Sequence, residues 1–260
     1  MLDLGIAGRR AIVCGSSRGL GRACATALAR AGVEVVINGL DEARVAAAAE
    51  QIARETGARI TPVAADVTTR DGQAKLLGVL PDPDILITNA GGPPFKDFRE
   101  LSREDVLKGV TWNMVTPIEL IQATIDGMVE RRFGRVVNIT SISVRMPVQG
   151  LDLSSGARAG LTAFLAGVAR QVAHAGVTIN NILPGFFNTD RYWAGVDATA
   201  KVQGKSREQF ATEREATVPM RRIGDPAELG DACAFLCSAR AGYLTGLNLL
   251  LDGGLFNSAF

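Results

Sequence analysis

The sequence predicts an α/β protein, a doubly wound parallel sheet of about seven strands with helices on both faces. Three observations carry that expectation. Short β-branched runs alternate with Ala- and Leu-rich helical stretches along the 260 residues. Runs such as Val33-Glu34-Val35-Val36-Ile37 and Arg135-Val136-Val137-Asn138-Ile139 are close to continuously apolar, as strands covered on both faces are. No Pro/Ser linker, composition shift or internal repeat divides the chain, so residues 1–260 read as a single domain.

Strand 11–14 leads through a glycine-rich turn into helix 20–31. Strand 33–38 precedes helix 42–55, for which Asp41 is a candidate N-cap. Strands 59–64 and 85–88 follow, and 103–130 reads as one helix. Strand 135–140, helix 157–173 and strand 177–182 come next. The irregular stretch 186–222 is longer than a plain connection needs and suits a lid over a site. Helix 226–238 and strand 247–251 complete the pattern.

Composition removes several classes. With 28 basic against 27 acidic side chains the net charge is +1, so nothing in bulk electrostatics argues for nucleic acid or an anionic membrane. A hydrophobic share of 47% and the absence of long charge blocks exclude disorder. The 29 glycines lack a collagen period and so mark turns and close backbone approaches. Cys14, Cys24, Cys233 and Cys237 form no C-x-x-C pair, and Cys233 and Cys237 sit four apart, as on a packed helix face. His174 is the only histidine, so no metal site is expected, and a serine–histidine hydrolase is excluded. His174 itself, just before Gly176, reads as a helix-end partner. Arg131-Arg132 and Arg221-Arg222 read as solvated turn charges. No apolar run reaches 18 residues and no signal-like apolar core opens the chain, so a reduced, cytoplasmic protein with no membrane partner is expected.

The first strand runs into Cys14-Gly15-Ser16-Ser17-Arg18-Gly19-Leu20-Gly21, with a helix following at once. Glycines at 15, 19 and 21 permit a tight turn, a close approach to a pyrophosphate and contact between helix and sheet. The helix N-terminus then offers free N–H groups and positive dipole to phosphates. The fold is therefore expected to be Rossmann-like.

This glycine spacing resembles that of the short-chain dehydrogenase/reductase family, in its ketoacyl-carrier-protein-reductase-like branch. Further landmarks carry the resemblance along essentially the whole chain: Asp66-Val67, Asn89-Ala90-Gly91, Asn113, Ser141, Pro184-Gly185 through Thr189, Arg222 through Glu228, and Asp252-Gly253-Gly254. It implies a nicotinamide cofactor held by Gly15, Ser17, Arg18, Gly19, Leu20, Gly21, Asp66, Val67, Asn89, Ala90, Gly91, Arg158, Pro184, Gly185 and Thr189. It also implies a small-molecule substrate and a homotetramer or dimer, with Leu161, Phe164, Leu165 and Val168 on the helix packed between subunits. An NAD-selective site wants a carboxylate after the second strand. That position is Gly39, and Asp41 comes slightly late. Arg18 stands where NADP-preferring relatives carry a base, although Leu40 takes the place of a second arginine. NADP is the expected cofactor and NAD the alternative.

The resemblance breaks at the catalytic residues. The family places a tyrosine 13 residues after the serine that ends the fifth strand, and a lysine four further on. Counting from Ser141 gives Ser154 and Arg158, and the only tyrosines, Tyr192 and Tyr243, lie far downstream. A phenol of pKa about 10 can be brought toward neutrality by a nearby cation. A serine hydroxyl is a much weaker acid, and an arginine does not release its proton. Ser154 and Arg158 therefore donate hydrogen bonds to an oxyanion or ribose and are poor at net proton transfer. The catalytic candidates are Asn113, Ser141, Ser154, Arg158 and Arg145, the last as a pocket cation or as a solvated charge pairing with Asp152. Tyr192 reads as packing for the lid or as a swinging group, and Asp152 and Ser155 are lesser polar candidates. Three readings stay open: an atypical oxidoreductase, a non-redox enzyme performing dehydration, isomerisation or carbon–carbon cleavage, and a silent cofactor-binding protein.

Overall fold

The fold, from a computed structural model that describes residues 3–92, 95–148 and 150–258, follows the expected alternation. The elements are β1 (Arg10–Val13), α1 (Gly19–Arg30), β2 (Glu34–Gly39), α2 (Glu42–Thr56), β3 (Ile60–Ala64), α3 (Arg70–Val79), β4 (Ile85–Thr88), α4 (Arg103–Val110), α5 (Thr116–Glu130), β5 (Gly134–Ile139), α6 (Asp152–Val172), β6 (Val177–Pro184), α7 (Asp190–Gln203), α8 (Arg207–Thr217), α9 (Pro226–Cys237) and β7 (Asn248–Leu251). The seven strands form one sheet in the order β3-β2-β1-β4-β5-β6-β7, and every pairing is parallel. The chain reverses its direction of travel between β1 and β4. Open α/β sheets bind ligands at such a switch point, beyond the carboxyl ends of the strands.

Strand periodicity divides the core into two layers. Ala11, Val13, Val35, Ile37, Ile85 and Ile87 face one side with α1, α2 and α9. Ile12, Val36 and Leu86 face the other with Leu76 of α3, Leu120, Ile121 and Met128 of α5, and Leu161 and Leu165 of α6. Successive strand side chains point to opposite faces, so a strand covered on both sides is apolar throughout. The four cysteines are free and buried. Among the described residues no helix is long and apolar enough to cross a membrane.

The structure corrects the sequence expectations in three places that bear on the site. First, 103–130 is not one helix: a π-helical turn at Thr111–Val115 separates α4 from α5. Pro117 lies in the first turn of α5; it has no N–H to offer the carbonyl of Asn113, four residues earlier, and its ring crowds that carbonyl. Second, α6 starts at Asp152 rather than 157, which puts Ser154 on the helix. Third, 186–222 is not irregular. It contains α7, ended by Gly204 at φ +65°, and α8, opened by a Ser206/Gln209 capping box. Helix α3, begun by a Thr69 cap, lies between β3 and β4.

Candidate active site

The loop between β1 and α1 is built by leaving side chains out. Gly15 and Gly19 have φ of +56° and +58°, in the left-handed region that favours glycine. A Cβ on Gly21 would lie 2.3 Å from the Gly15 carbonyl oxygen, and one on Gly15 would lie 2.8 Å from that of Asn89. Asn89, just past β4, donates from Nδ2 to the Gly15 oxygen at 3.0 Å. Buried Ser16 donates from Oγ to the Val13 oxygen at 2.6 Å, and its N–H bonds the Asn38 oxygen at 2.7 Å. The Asn38 amide then reaches the carbonyls of Val63 and Ala65.

Side chains of Asp41, Thr69, Ser102, Thr189, Ser206 and Asp225 cap α2, α3, α4, α7, α8 and α9. Helix α1 has no side-chain cap and no acid in its first turn. Its leading N–H groups and dipole are thus left to an anion, in a backbone cradle that a Cβ would fill. Gly15, Gly19 and Gly21 fit the pyrophosphate of a dinucleotide.

At the end of β2, a Cβ on Gly39 would lie 2.8 Å from both Ser17 Oγ and Val45 Cγ2. No carboxylate fits there without displacing Ser17. Asp41 accepts from the Arg44 N–H at 2.8 Å and is committed to capping α2, while Leu40 is 76% exposed. Arg18 Nη1 lies 3.6 Å from Asp190 of α7, with both side chains exposed. Such a pair is worth about 0–1 kcal/mol and yields readily to a phosphate. Asp66 accepts from the N–H and hydroxyl of Thr68 at 3.0 and 2.7 Å, and Val67 is buried. Thr189, the cap of α7, has its Cγ2 3.7 Å from where a Gly19 Cβ would be, so α7 starts over the glycine loop.

At the other half of the edge, Ser141 lies just beyond β5. Its hydroxyl accepts from the Ser143 N–H at 3.1 Å, opening a short 3-10 turn. Ser154 and Arg158 are one helical turn apart on α6 and only 5% and 8% exposed. Arg158 donates from Nε to Ser154 Oγ at 3.2 Å, from Nη1 to the Ile139 oxygen at 2.8 Å and from Nη2 to the Ala90 oxygen at 3.4 Å. It thereby ties the ends of β4 and β5 to α6. Burial, and secondarily the charge of Arg191, bring its pKa down to about 10, so it stays cationic at neutral pH. Gly109 sets the start of α6: a Cβ there would lie 2.5 Å from Leu153 Cγ. Asn113 is buried in the π turn and donates to the Gly109 oxygen at 3.2 Å. Asn113 Oδ1 and Ser143 Oγ are buried without a hydrogen-bond partner among the described residues.

The remaining candidates have contacts of their own. Arg145 is exposed, with its guanidinium 5.3 Å from the Phe256 ring centroid, and it forms no ion pair with Asp152. Tyr192 packs against Phe186 and Trp193, with Arg214 beside its ring. Its buried hydroxyl has no partner among the described residues, and burial pushes its pKa up. Ser155 bonds the Leu151 oxygen within its own helix, Asp152 is exposed, and His174 Nδ1 sits 2.9 Å from the Gln171 oxygen. The arginines expected to be solvated are partly committed. Arg222 makes a two-pronged pair with Glu228 at 2.7 Å on each prong, and Arg131 bonds the Pro83 oxygen near Asp82 and Asp84. Arg191, which no spacing singled out, donates from Nη1 to the Gly92 oxygen at 3.0 Å.

Sheet order, uncapped α1 and the polar cluster at β4, β5 and α6 define a dinucleotide-binding enzyme of the oxidoreductase kind. A family model described as enoyl-(acyl carrier protein) reductase matches residues 15–256. The 3-oxoacyl-[acyl-carrier-protein] reductase FabG of Aquifex aeolicus is 30% identical over 259 residues, covering 98% of this chain and 100% of that protein. The structure of L-sorbose reductase from Gluconobacter frateurii complexed with NADPH and L-sorbose superposes with a TM-score of 0.93 at 27% identity, over 99% of this chain and 100% of that one. A 3-oxoacyl-(acyl-carrier-protein) reductase from Agrobacterium tumefaciens with NADP bound gives 0.86 at 29%, over 96% and 95%. The chain belongs to the short-chain dehydrogenase/reductase family.

Proposed function

We propose that this protein is an NADP-dependent oxidoreductase that works on a carbonyl or alcohol substrate without a catalytic tyrosine. The observation that carries the reading is the buried Ser154–Arg158 pair, joined at 3.2 Å where the family's tyrosine and lysine are expected. The bound nicotinamide would supply or accept a hydride. Gly15, Gly19 and Gly21 with the first turn of α1 would hold its pyrophosphate, and Ser17, Leu20, Asp66, Val67, Asn89, Ala90, Gly91, Pro184, Gly185 and Thr189 would line the remainder. Arg18 would meet the 2′-phosphate once released from Asp190. The NADPH- and NADP-bound relatives support that choice of nucleotide.

On the substrate side, Ser141 and Ser154 would donate to the substrate oxygen, and the Arg158 cation would stabilise charge developing there. Preorganised donors of this sort are worth roughly 10²–10³ in rate. Neither group is a net acid near neutrality, so the proton would come from water and the substrate would be an activated carbonyl compound. The segment 186–222, carrying α7 and α8, would act as the lid of a single domain. Exposed Val106, Leu107, Val115 and Phe164 on α4, the π turn and α6 support a homo-oligomer joined through those helices.

The test is fluorescence titration with NADPH and NADH, followed by NADPH oxidation over a panel of activated ketones and diketones. Tighter binding of NADPH and turnover on at least one substrate are expected. Absence of NADPH binding overturns the reading. Tight binding with no turnover on any substrate transfers the site to the non-redox or silent alternative.

A further inference from the structure

Two guanidinium groups from distant parts of the chain meet the same short loop after β4. Arg158 of α6 bonds the Ala90 oxygen at 3.4 Å, and Arg191 of α7 bonds the Gly92 oxygen at 3.0 Å. Two residues of chain span at most about 7 Å. A Cβ on Gly92 would lie 2.7 Å from Arg191 Nη2, so the guanidinium rests directly on that glycine. Each cation lowers the charge tolerance of its surroundings, and the field of Arg191 is felt at Arg158. Bringing like charges together in a partly dry site is costly unless an anion is shared.

Burial of an arginine among carbonyls does not by itself point to a ligand. Arg135, at the opposite end of β5, bonds the carbonyls of Ser238, Gly134 and Gly176. Its neighbouring cation, Arg9, is paired with Asp84 at 3.3 Å. At the site, by contrast, Arg158 has no carboxylate partner among the described residues. A guanidinium has five N–H donors, and the three bonds of Arg158 use one on each nitrogen, leaving one N–H on each terminal nitrogen.

We propose that Arg191 is the substrate-carboxylate residue of this site, working beside the Ser154–Arg158 pair, so that the substrate is a 2-oxo acid or the corresponding 2-hydroxy acid. The carbonyl oxygen lies at Ser154 and Arg158 and the neighbouring carboxylate at Arg191, a short span that matches the two anchor points on the β4 loop. Helix α7 starts over the glycine loop, but the carbonyls that the two arginines hold lie at the ends of β4 and β5. A planar guanidinium suits a carboxylate because it forms two parallel, charge-assisted hydrogen bonds. This assignment deepens the oxidoreductase reading and rests on it for the place of the carbonyl.

The probes are 2-oxo-4-phenylbutyrate and its ethyl ester, titrated calorimetrically into the NADP⁺-saturated protein and, separately, into protein without nucleotide. The acid should bind at least about 10-fold more tightly than the ester, the worth of one charge-assisted contact. Arg191→Gln should shrink that preference below about 3-fold while moving NADP⁺ affinity by less than about 3-fold, and Arg191→Lys should retain part of it. Equal binding of acid and ester, no binding of the acid at millimolar concentration, or a preference that survives Arg191→Gln overturns the assignment. So does a parallel loss of NADP⁺ affinity, which gives the arginine to the cofactor. A chain that takes no NADP⁺ sinks the oxidoreductase reading instead, while an Arg191-dependent preference for the acid in the nucleotide-free arm upholds the carboxylate site.

Discussion

The two halves of the sheet's carboxyl edge are built by different means. Around β1, contacts for a ligand would come from backbone made approachable by missing side chains: Gly15, Gly19, Gly21 and the uncapped first turn of α1. Around β4, β5 and α6, they would come from buried side chains held by one another and by carbonyls: Ser154, Arg158 and Asn113. A backbone cradle needs only that no Cβ intrude, so its chemistry is the same whatever the surrounding side chains are. A proton-transfer site depends on the pKa of one particular group. Exchange of a phenol for a hydroxyl would leave binding intact and alter the reaction.

The largest expected effect strikes the backbone half. Gly21→Ala drives a Cβ toward the Gly15 oxygen at 2.3 Å, and NADPH affinity should fall by about 100-fold or more, a loss of roughly 2.7 kcal/mol. Fluorescence titration measures this, with circular dichroism to confirm that the fold persists. Unchanged affinity would show that the cradle lies elsewhere.

Next comes the side-chain half. If the site is built for chemistry without a phenol, Ser154→Tyr with Arg158→Lys should lower the native rate by about 10²-fold through crowding and lost donors. The pH profile sharpens the same contrast. Arg158, with its pKa brought down to about 10, is cationic below that value and loses its charge only as pH rises through it. The parent's kcat/KM should therefore show no limb from Arg158 between about pH 6 and 9, and should fall above it. The double variant should acquire a limb in that interval. A parent inert on every substrate beside a variant that gains carbonyl reduction would instead mean a decayed reductase.

A smaller effect is expected at Arg18. Its replacement by Ala should remove a charge-assisted contact and cut the NADPH-over-NADH preference by about 10-fold. Equal affinities in the parent would assign Arg18 to its pair with Asp190 alone. The smallest is at Tyr192. Its buried hydroxyl has no partner among the described residues, so Tyr192→Phe should change stability by less than about 1 kcal/mol, in either direction, and leave turnover intact. Loss of turnover at unchanged Tm would restore the phenol as a proton donor.

Legibility in the sequence follows the range over which each feature is encoded. Strand order in the chain, the two-sided apolar strands and the glycine loop were readable because each is written within a few neighbouring residues. The break at Asn113 was also written there, in Pro117, and α7 and α8 in Gly204 and the Ser206/Gln209 box. The apolar periodicity that would announce α7 and α8 is weak, because these helices pack only a small cluster around Tyr192, Val196 and Ala211. What the sequence by itself determined is therefore the fold, the place of the glycine loop and the identity of Ser154 and Arg158.

Only the tertiary structure decided which charges meet. Arg191 and Gly92 are 99 residues apart in sequence, and Arg158 and Ala90 are 68 apart, yet all four converge because β4, β5 and the start of α7 end at one edge. Arg145, equally plausible by spacing, lies over Phe256, and Arg18 faces Asp190. A guanidinium's position is set by the docking of whole elements and by the carbonyls that dock with them, and no local pattern in the chain encodes that geometry.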